Sequence, residues 1–330
     1  MEQVQPEQTP NDETDKGTWK HVREIIGEIK WAWDGWLPGS MITMLVGDQE
    51  SGKSILALRI ASVFVRGEKW PDGSKYTGET GKVLWIETEA SQGLNVLRAV
   101  KWGIPLEQIM TPDAEDPMMD IALEDPAHRE LLAAKIRDET VKCAIVDSFS
   151  GGNNRDENSV ISKDSIKWLA ELSRDEKKPI IIVHHLRKPT VFDIGNDITL
   201  SRVRGSTGIT QFARVVWAVD KPDSTIHTRR LQMIKFNFGE KPTPMGMMIH
   251  DRGVTFTSNA PEKPRAKKKS DMARDFLREL LSDGPVEATK VEKDAKDEKI
   301  SMETVNKAKK DLGIGSRRNG KDWEWYLPGT

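Results

Sequence analysis

The chain has 330 residues, and its 50 Lys and Arg against 52 Asp and Glu give a net charge of -2, which excludes a global basic field for holding nucleic acid. No apolar run approaches the ~18 residues of a membrane helix, and with Cys143 as the single cysteine an intrachain disulfide is excluded. We therefore expect a cytoplasmic protein without a membrane anchor, in which any contact with a polyanion comes from a local patch.

Changes in composition divide the chain into four segments. Residues 1–18 are rich in Gln, Glu, Asp and Pro and are predicted to be a disordered tail. Residues 19–258 are predicted to form a large α/β domain, residues 259–270 a Pro/Lys linker, and residues 271–330 a second, small domain. Trp31, Trp33 and Trp36 come early in the large domain; they would cover the edge of a sheet or, alternatively, stack on a nucleobase.

The first motif is a full match to G-x-x-x-x-G-K-[ST] at residues 47–54, between the apolar run 41–46 and an amphipathic stretch. This strand–loop–helix setting predicts a P-loop that binds ATP through backbone N–H groups, with Lys53 on the β/γ-phosphates and Ser54 on Mg²⁺. An acidic residue at position 50 is unfavourable beside phosphates unless its side chain points outward. The predicted nucleotide-binding residues are Gly47, Asp48, Gln49, Glu50, Ser51, Gly52, Lys53, Ser54 and Ile55.

Apolar runs that alternate with helical patterns then predict a mostly parallel sheet with helices on both faces. The strands are predicted at residues 83–86, 143–146, 179–183 and 215–219, followed by two antiparallel strands at 230–235 and 246–250. Helices are predicted at 91–102, 127–138, 159–174 and 208–214, a hairpin-like stretch at 67–81, and loops at 111–126 and 190–201.

Polar side chains follow three of these strands. Asp147 closes an apolar strand about ninety residues after the P-loop, where a carboxylate that holds Mg²⁺ is expected. Glu87 and Glu89 follow the 83–86 strand, and either could orient and deprotonate an attacking water; Glu89, which lies farther out, is preferred. His184 and His185 end the 179–183 strand, where a histidine can sense a phosphate or simply pack.

Further cations lie beyond the histidines and the loop that follows them. Arg204, Arg214 and Lys235 are either surface charges or groups that act in trans on the triphosphate of a neighbouring subunit.

The last sixty residues predict a winged helix-turn-helix. Helices at 271–281, 287–297 and 301–312 precede a hairpin whose strands, 316–318 and 321–327, flank Asn319-Gly320. Its basic residues would meet DNA phosphates, although a solvated helix face or a protein contact gives the same pattern; they are Lys307, Lys309, Lys310, Arg317 and Arg318.

Taken together, these motifs resemble the RecA-like P-loop ATPases, and within them the RepA family of hexameric replicative helicases and related phage and mobile-element AAA-type ATPases. The resemblance covers residues 31–257 and rests on six ordered segments: GDQESGKS, VLWIETEA, CAIVDSFSG, IIIVHHLRK, SRVRGSTGITQFARVVW and IKFNFGEKPTPMGMMIH. Where the family has glycine or alanine in mid-loop, this chain has Glu50.

The resemblance assigns roles to individual residues. It implies that Glu89 is the catalytic base and Asp147 the Mg²⁺ carboxylate, and that His185 is the phosphate sensor. It also implies that Arg214 is an arginine finger and Lys235 a second cation placed against a neighbour's nucleotide, with residues 190–204 as a loop that binds single-stranded DNA.

Three functional hypotheses follow. The first is a ring-forming, DNA-dependent ATPase of helicase type in phage or plasmid replication, for which the resemblance implies a hexamer. The second is a slow, ATP-switched DNA-binding regulator, helicase loader or recombination accessory protein. A recombinase-like filament is the third; it is disfavoured because the sequence offers no obvious N-terminal helix–strand segment for docking on a neighbour.

Overall fold

The computed structural model describes residues 16–150, 160–189, 193, 196–222, 227–262, 269–298, 300–320 and 322–328. The chain divides into two compact units: residues 1–190 with 198–262, and residues 263–330 with the short segment 191–197. Most of the predicted tail, half of the predicted linker and part of the predicted DNA loop lie outside the described residues.

The larger unit contains six helices and eleven strands within the described ranges. The helices are α1 (Trp19–Ile26), α2 (Lys53–Arg66), α3 (Gln92–Trp102), α4 (Pro126–Arg137), α5 (Val160–Asp175) and α6 (Ser206–Ile209). The strands are β1 (Trp31–Trp33), β2 (Leu37–Pro38), β3 (Ile42–Gly47), β4 (Lys82–Glu87), β5 (Ile109–Met110), β6 (Val141–Asp147), β7 (Ile180–His185), β8 (Val215–Asp220), β9 (Arg229–Phe236), β10 (Met245–His250) and β11 (Gly253–Thr257).

One nine-stranded sheet organises this unit, in the order β11-β10-β9-β8-β3-β7-β6-β4-β5. Strands β3 to β8 pair in parallel, whereas β9, β10 and β11 continue the sheet in antiparallel pairs. Alternate residues of β3 enter two different hydrophobic clusters: Leu45 belongs to one, and Met44 and Val46 belong to the other. The expected α/β architecture with a mostly parallel sheet covered on both faces is therefore confirmed.

The tryptophans near the start of this unit are core residues. Trp33 and Trp36 are buried and stack with ring centroids 4.8 Å apart. Trp33 also stacks on Trp70 at 5.3 Å and meets Trp217 edge-on at 5.7 Å. Because these rings are enclosed by one another, the structure favours the packing interpretation over nucleobase stacking for Trp33 and Trp36.

Several elements differ from the sequence predictions. No strand forms between residues 67 and 81, which the structure describes as turns and irregular backbone, because this stretch packs Trp70 and Tyr76 against Phe64 rather than pairing with a neighbour. The strand β11 and the helix α1 were not predicted. The helix predicted at 208–214 is instead α6, which ends at Ile209.

Helix α1 also removes the argument against an N-terminal docking segment, since a helix followed by the strand β1 is present. Its apolar residues include Trp19, which is 92% exposed, and Ile25, which is 66% exposed. The sequence did not predict that these two side chains are exposed, because the exposure of an apolar residue depends on which elements pack against it.

The smaller unit consists of α7 (Lys269–Leu280), β12 (Val286–Glu287), α8 (Ala288–Asp297), α9 (Met302–Asp311), β13 (Gly315–Asn319) and β14 (Asp322–Tyr326). Its three strands pair antiparallel in the order β12-β14-β13, and its helices enclose a separate hydrophobic cluster. Asn319 pairs with Asp322, so the turn begins at Gly320, one residue later than predicted. Across all the described ranges, no helix combines the length and apolar character needed to cross a bilayer.

The aromatic cluster gives a prediction about stability. Trp217 is fully buried, and its Nε1 donates to the carbonyl oxygen of Trp36 at 3.2 Å. Trp217→Ala should lower the free energy of unfolding by about 3–5 kcal/mol, because it leaves a cavity among aromatic rings and an unpaired carbonyl.

The matched control is Trp19→Ala, which removes the same side chain from a position that is 92% exposed. It should change stability by less than about 0.5 kcal/mol in the same chemical denaturation experiment. Equal losses for the two variants would contradict the core assignment of Trp217.

Candidate functional site

The carboxyl ends of four neighbouring parallel strands bring most of the predicted site residues to one edge of the sheet. Gly47 at the end of β3 is level with His185 at the end of β7, and Glu87 at the end of β4 is level with Asp147 at the end of β6. Because β7 lies between β3 and β6 and β4 lies next to β6, these ends form a continuous row. This is the edge where parallel α/β sheets collect ligands.

The backbone of the P-loop requires glycine at two positions, Gly47 and Gly52. Gly52 precedes α2 at φ +100°, and a Cβ on Gly47 would lie 2.4 Å from the Oγ of Ser51 and 2.5 Å from the carbonyl oxygen of Val219. Glu50 has φ +59° and is exposed, so its carboxylate is directed into solvent. The acidic side chain that is unfavourable beside phosphates is therefore in contact with solvent.

Lys53 is the buried cation of the site. It is 6% exposed, and its Nζ donates to the carbonyl oxygens of Gly47 at 3.1 Å and Asp48 at 2.9 Å. Burial lowers the pKa of Lys53, while the carboxylates of Asp147, Glu89 and Asp48 oppose that change. The ammonium is thus held inside the loop, among negative groups, in a position to bind a phosphate.

Ser54 and Asp147 form an oxygen donor set. Asp147 is 3% exposed, and its Oδ2 is buried with no hydrogen-bond partner among the described residues. Burial raises the pKa of Asp147 to about 7, and the hydrogen bond from Ser54 opposes that rise. A buried carboxylate oxygen without a partner next to a hydroxyl suits Mg²⁺, which usually takes one or two protein oxygens and completes its shell with water and phosphate oxygens.

Within the described residues, no cluster of three or more His, Cys, Asp or Glu side chains is arranged to hold a metal ion by itself. The Ser54–Asp147 pair is consequently a site for an ion that arrives with further oxygen ligands.

Glu89 is joined to the phosphate-sensor candidate. His185 Nε2 lies 2.9 Å from Glu89 Oε1, and the hydroxyl of Ser148 donates to the same oxygen. The hydrogen bond from His185 lowers the pKa of Glu89 to about 2, against the opposing effect of partial burial and with further lowering from Ser148. The carboxylate is therefore ionised at neutral pH and stays 41% exposed, open toward the edge of the sheet.

Glu87 has a different environment. It is buried, and its carboxylate accepts from the backbone N–H of Glu89 at 3.0 Å, from Ser91 Oγ at 2.9 Å and from Asn95 Nδ2 at 3.2 Å. Because these donors occupy both oxygens, Glu87 braces the start of α3, whereas Glu89 faces the site.

The two histidines also differ. His184 is fully buried, with Nε2 2.9 Å from the carbonyl oxygen of Arg204 and Nδ1 3.3 Å from Ser150 Oγ. His184 therefore packs in the core, which was one of the two alternatives for this residue. His185 is half-buried and points to Glu89.

The structure does not bring Arg214 and Lys235 to this chain's own P-loop. Arg214 precedes Val215, which pairs with Thr43 at the start of β3, four residues before Gly47. At ~3.3 Å per residue this places the pair about 13 Å or more from the P-loop, at the opposite edge of the sheet. Burial lowers the pKa of Lys235, and the charge of the nearby Arg214 lowers it further.

Three residues of the site were missed by the sequence analysis. Ser148 bonds Glu89, Arg202 donates to Asp48 at 2.7 Å, and Arg229 lies against Gly52 with its Nε buried and without a partner in the described part of the chain. A serine directly after Asp147 was a visible signal. Nothing in the sequence connects Arg202 or Arg229 to the P-loop, because the sheet order brings them there.

In the smaller unit, the predicted basic residues separate into two groups. Lys309 Nζ lies 3.8 Å above the ring of Trp325 and donates to Ser316 Oγ at 2.6 Å, so it joins α9 to the hairpin. Arg317 lies 3.4 Å from Glu324. Lys307, Lys310 and Arg318 are exposed.

Comparison with known proteins gives one family match. A family model described as an AAA domain matches residues 10–191, more than half of the chain. No curated protein matches the sequence. A crystal structure of the RadB recombinase is similar to this chain at a TM-score of 0.43 and 18% identity, over 67% of this chain and 91% of that one. At that level the similarity indicates nothing about what this chain binds.

The hydrogen bond between Glu89 and His185 gives a prediction about the pKa of Glu89. His185→Ala should raise the pKa of Glu89 from about 2 toward its ordinary value of 4.5, because the hydrogen bond is the main cause of the lowering. Carbon-13 NMR titration of the Glu side chains measures this shift. Since the folded pKa lies below the unfolded one, the contribution of this contact to stability is complete above about pH 4.5 and is lost as the pH falls through about 2.

His250→Ala is the matched control, because His250 is an exposed histidine that contacts Thr255 on the β10–β11 hairpin. It should leave the Glu89 titration unchanged. A Glu89 pKa that stays the same in His185→Ala would show that the contact does not form in solution.

Proposed function

This chain belongs to the AAA domain family, and on that basis we propose that it is a RecA-like ATPase of the RepA type that binds and hydrolyses ATP with Mg²⁺ and acts on DNA. The observation that carries the proposal is the convergence of Lys53, Asp147 and Glu89 at the carboxyl edge of one parallel sheet. A buried cation, a buried carboxylate and an open carboxylate are the three charges that triphosphate hydrolysis requires.

Each residue has a proposed role. Lys53 and the loop's N–H groups bind the β/γ-phosphates, and Glu89 orients and deprotonates the attacking water. The Ser54 hydroxyl and the Asp147 carboxylate would hold Mg²⁺, which, when bound, supplies charge neutralisation at the phosphate oxygens. His185 would sense the γ-phosphate by exchanging its bond to Glu89 for a bond to phosphate.

Glu89 rather than Glu87 is the proposed base. The preference is supported by the three donors that already surround Glu87 and by the exposure of the Glu89 carboxylate. A carboxylate with a pKa near 2 is a weak base, so the histidine must leave it for proton abstraction to become efficient. Sensing and activation would therefore be one event at His185.

Arg214 and Lys235 are proposed to complete the site of an adjacent subunit. Their position at the opposite edge of the sheet excludes a role at their own P-loop without a large rearrangement, and a ring, for which we favour six subunits, would bring that edge toward a neighbour's nucleotide. Residues 190–204, only partly described, are the proposed loop for single-stranded DNA.

The proposed domain boundaries remain residues 19–258 for the ATPase domain, 259–270 for the linker and 271–330 for a winged helix-turn-helix. The last assignment is supported by the element order α7-β12-α8-α9-β13-β14 with a three-stranded antiparallel sheet. We propose that duplex DNA contacts come from Lys307, Lys310 and Arg318, which are exposed, rather than from Lys309, which is bound within the unit.

The alternative functions differ in turnover and assembly. An ATP-switched regulator or loader would hydrolyse slowly and assemble on binding ATP, whereas a motor would turn over faster with single-stranded DNA. Because helix α1 is present, a filament is a third possible arrangement. The mass of the ATP-bound assembly distinguishes a closed ring, which has one fixed mass, from a filament, which has a range of masses.

The trans arrangement gives a prediction from mixing. Lys53→Ala and Arg214→Ala should each lower hydrolysis by about 10²-fold or more, but only Lys53→Ala should lose nucleotide binding. Mixed before ATP is added, the two inactive variants should regain activity, because some interfaces then combine an intact P-loop with an intact Arg214.

Arg252→Ala removes an exposed arginine from the β10–β11 turn and should hydrolyse ATP normally. Normal hydrolysis by Arg214→Ala, or no recovery on mixing, would contradict the proposed role in trans.

DNA binding is predicted to weaken linearly on a log–log plot as salt rises, and single-stranded DNA should accelerate ATP hydrolysis. Lys310→Gln and Arg318→Gln together should weaken duplex binding and lower the salt slope by about one for each lost phosphate contact. Fluorescence anisotropy with labelled DNA measures both quantities. Lys290→Gln, an exposed lysine on α8, is the control, and a flat salt response in the wild-type protein would favour a protein partner instead.

A further inference from the structure

Arg202 is a buried arginine that reaches the P-loop from residues 190–204, the proposed loop for single-stranded DNA. It ends the short 3-10 helix Leu200–Arg202 and is 4% exposed. Its Nη2 donates to Asp48 Oδ1 at 2.7 Å and to the carbonyl oxygen of Arg187 at 3.3 Å, while its Nε is buried without a partner among the described residues. A buried guanidinium is unfavourable unless it is paired, so the Asp48 carboxylate is its main compensation.

The pair also matters for the P-loop, which contains two acidic residues. A triphosphate brings several negative charges, and each unpaired carboxylate beside it would weaken binding. Glu50 is exposed, so solvent screens its charge. Asp48 is 51% exposed, and its Oδ1 is bound to Arg202. The ion pair therefore removes the second conflict by neutralising Asp48.

Arg202 is also joined to the strand that ends in His185. The N–H of Arg187 donates to the carbonyl oxygen of Arg202 at 2.9 Å, and Leu186 and Val203 form an antiparallel bridge. The N–H of Arg204 donates to the carbonyl oxygen of His185 at 3.3 Å. These bonds attach residues 202–204 to the end of β7, and the Arg202–Asp48 pair extends that attachment to the P-loop.

We propose that Arg202 is a positioning residue of the nucleotide site, which neutralises Asp48 so that an acidic P-loop accepts a triphosphate and which links P-loop occupancy to residues 200–204. The inference rests on the proposed function, because it presupposes that the P-loop binds ATP. It assigns Arg202 no contact with the reacting atoms.

The test is a double-mutant comparison of MgATP affinity by calorimetry on the full chain. Arg202→Gln should weaken binding roughly tenfold, because the Asp48 charge then faces the triphosphate unpaired. The double variant Asp48→Asn with Arg202→Gln should return to within about threefold of the wild-type affinity, since the repulsion is gone. Lys188→Gln, which removes an exposed charge from the same segment, should have no effect.

A second readout separates the link from the charge. The double variant should bind MgATP but lose most of the acceleration of hydrolysis by single-stranded DNA, because the connection to residues 200–204 is missing. Arg202→Lys keeps the charge without the planar fork; it should retain affinity and show reduced acceleration, and it decides the matter if Arg202→Gln does not fold.

Each outcome is informative. A double variant as weak as Arg202→Gln would mean that Arg202 acts through packing, and this would overturn the inference. Unchanged affinity in Arg202→Gln would overturn it as well, while the proposed function would stand. A wild-type protein that does not bind MgATP would remove the proposed function itself.

Discussion

The burial of Lys53 at the carboxyl edge of the sheet is the interaction on which the rest of the site depends. An ammonium that is 6% exposed must be compensated, and here the compensation comes from two loop carbonyls and from nearby carboxylates on neighbouring strands. Asp48 lies in the same loop as Lys53, whereas Asp147 and Glu89 come from the ends of β6 and β4. The parallel pairing of β3, β7, β6 and β4 is therefore what makes the site, because it sets the ends of four strands side by side.

Most of the carboxylates at the margin of the site are held by hydrogen bonds or by an ion pair. Glu89 is held by His185 and Ser148, Glu87 by Ser91 and Asn95, and Asp48 by Arg202. Asp147 is the exception, since one of its oxygens is buried without a partner. The Lys53 ammonium and the unpaired oxygen of Asp147 are complementary in charge to a nucleotide and its metal ion.

Much of this arrangement was predictable from the sequence, because it follows from local patterns. The P-loop motif, the apolar strands and the polar residues that follow them indicated the sheet and placed Asp147, Glu89 and His185 at one edge. The choice between Glu87 and Glu89 was not decidable, since it depends on which side chain the start of α3 recruits. Arg202 and Arg229 were out of reach for a similar reason: their partners are far away in sequence, and only the strand order makes them neighbours.

Three elements of the fold differ from the sequence prediction for a similar reason. The helix α1 and the strand β11 are short, with eight and five residues, and the Gly- and Pro-rich stretch at 67–81 resembles a hairpin until its aromatic residues are seen packed on α2. The conformation of such segments depends on tertiary contacts more than on local propensity. In contrast, the smaller unit follows its helix caps closely, as at Ser301, whose side chain accepts from the N–H of Thr304.

The most direct test of the central claim is a calorimetric titration of the wild-type protein with ATP in the presence and absence of Mg²⁺. One ATP should bind per chain, binding should be tighter with Mg²⁺ than without it, and the Mg²⁺ effect should be lost in Asp147→Asn. No heat of binding at millimolar ATP, or an Asp147→Asn protein that responds to Mg²⁺ as the wild type does, would contradict it.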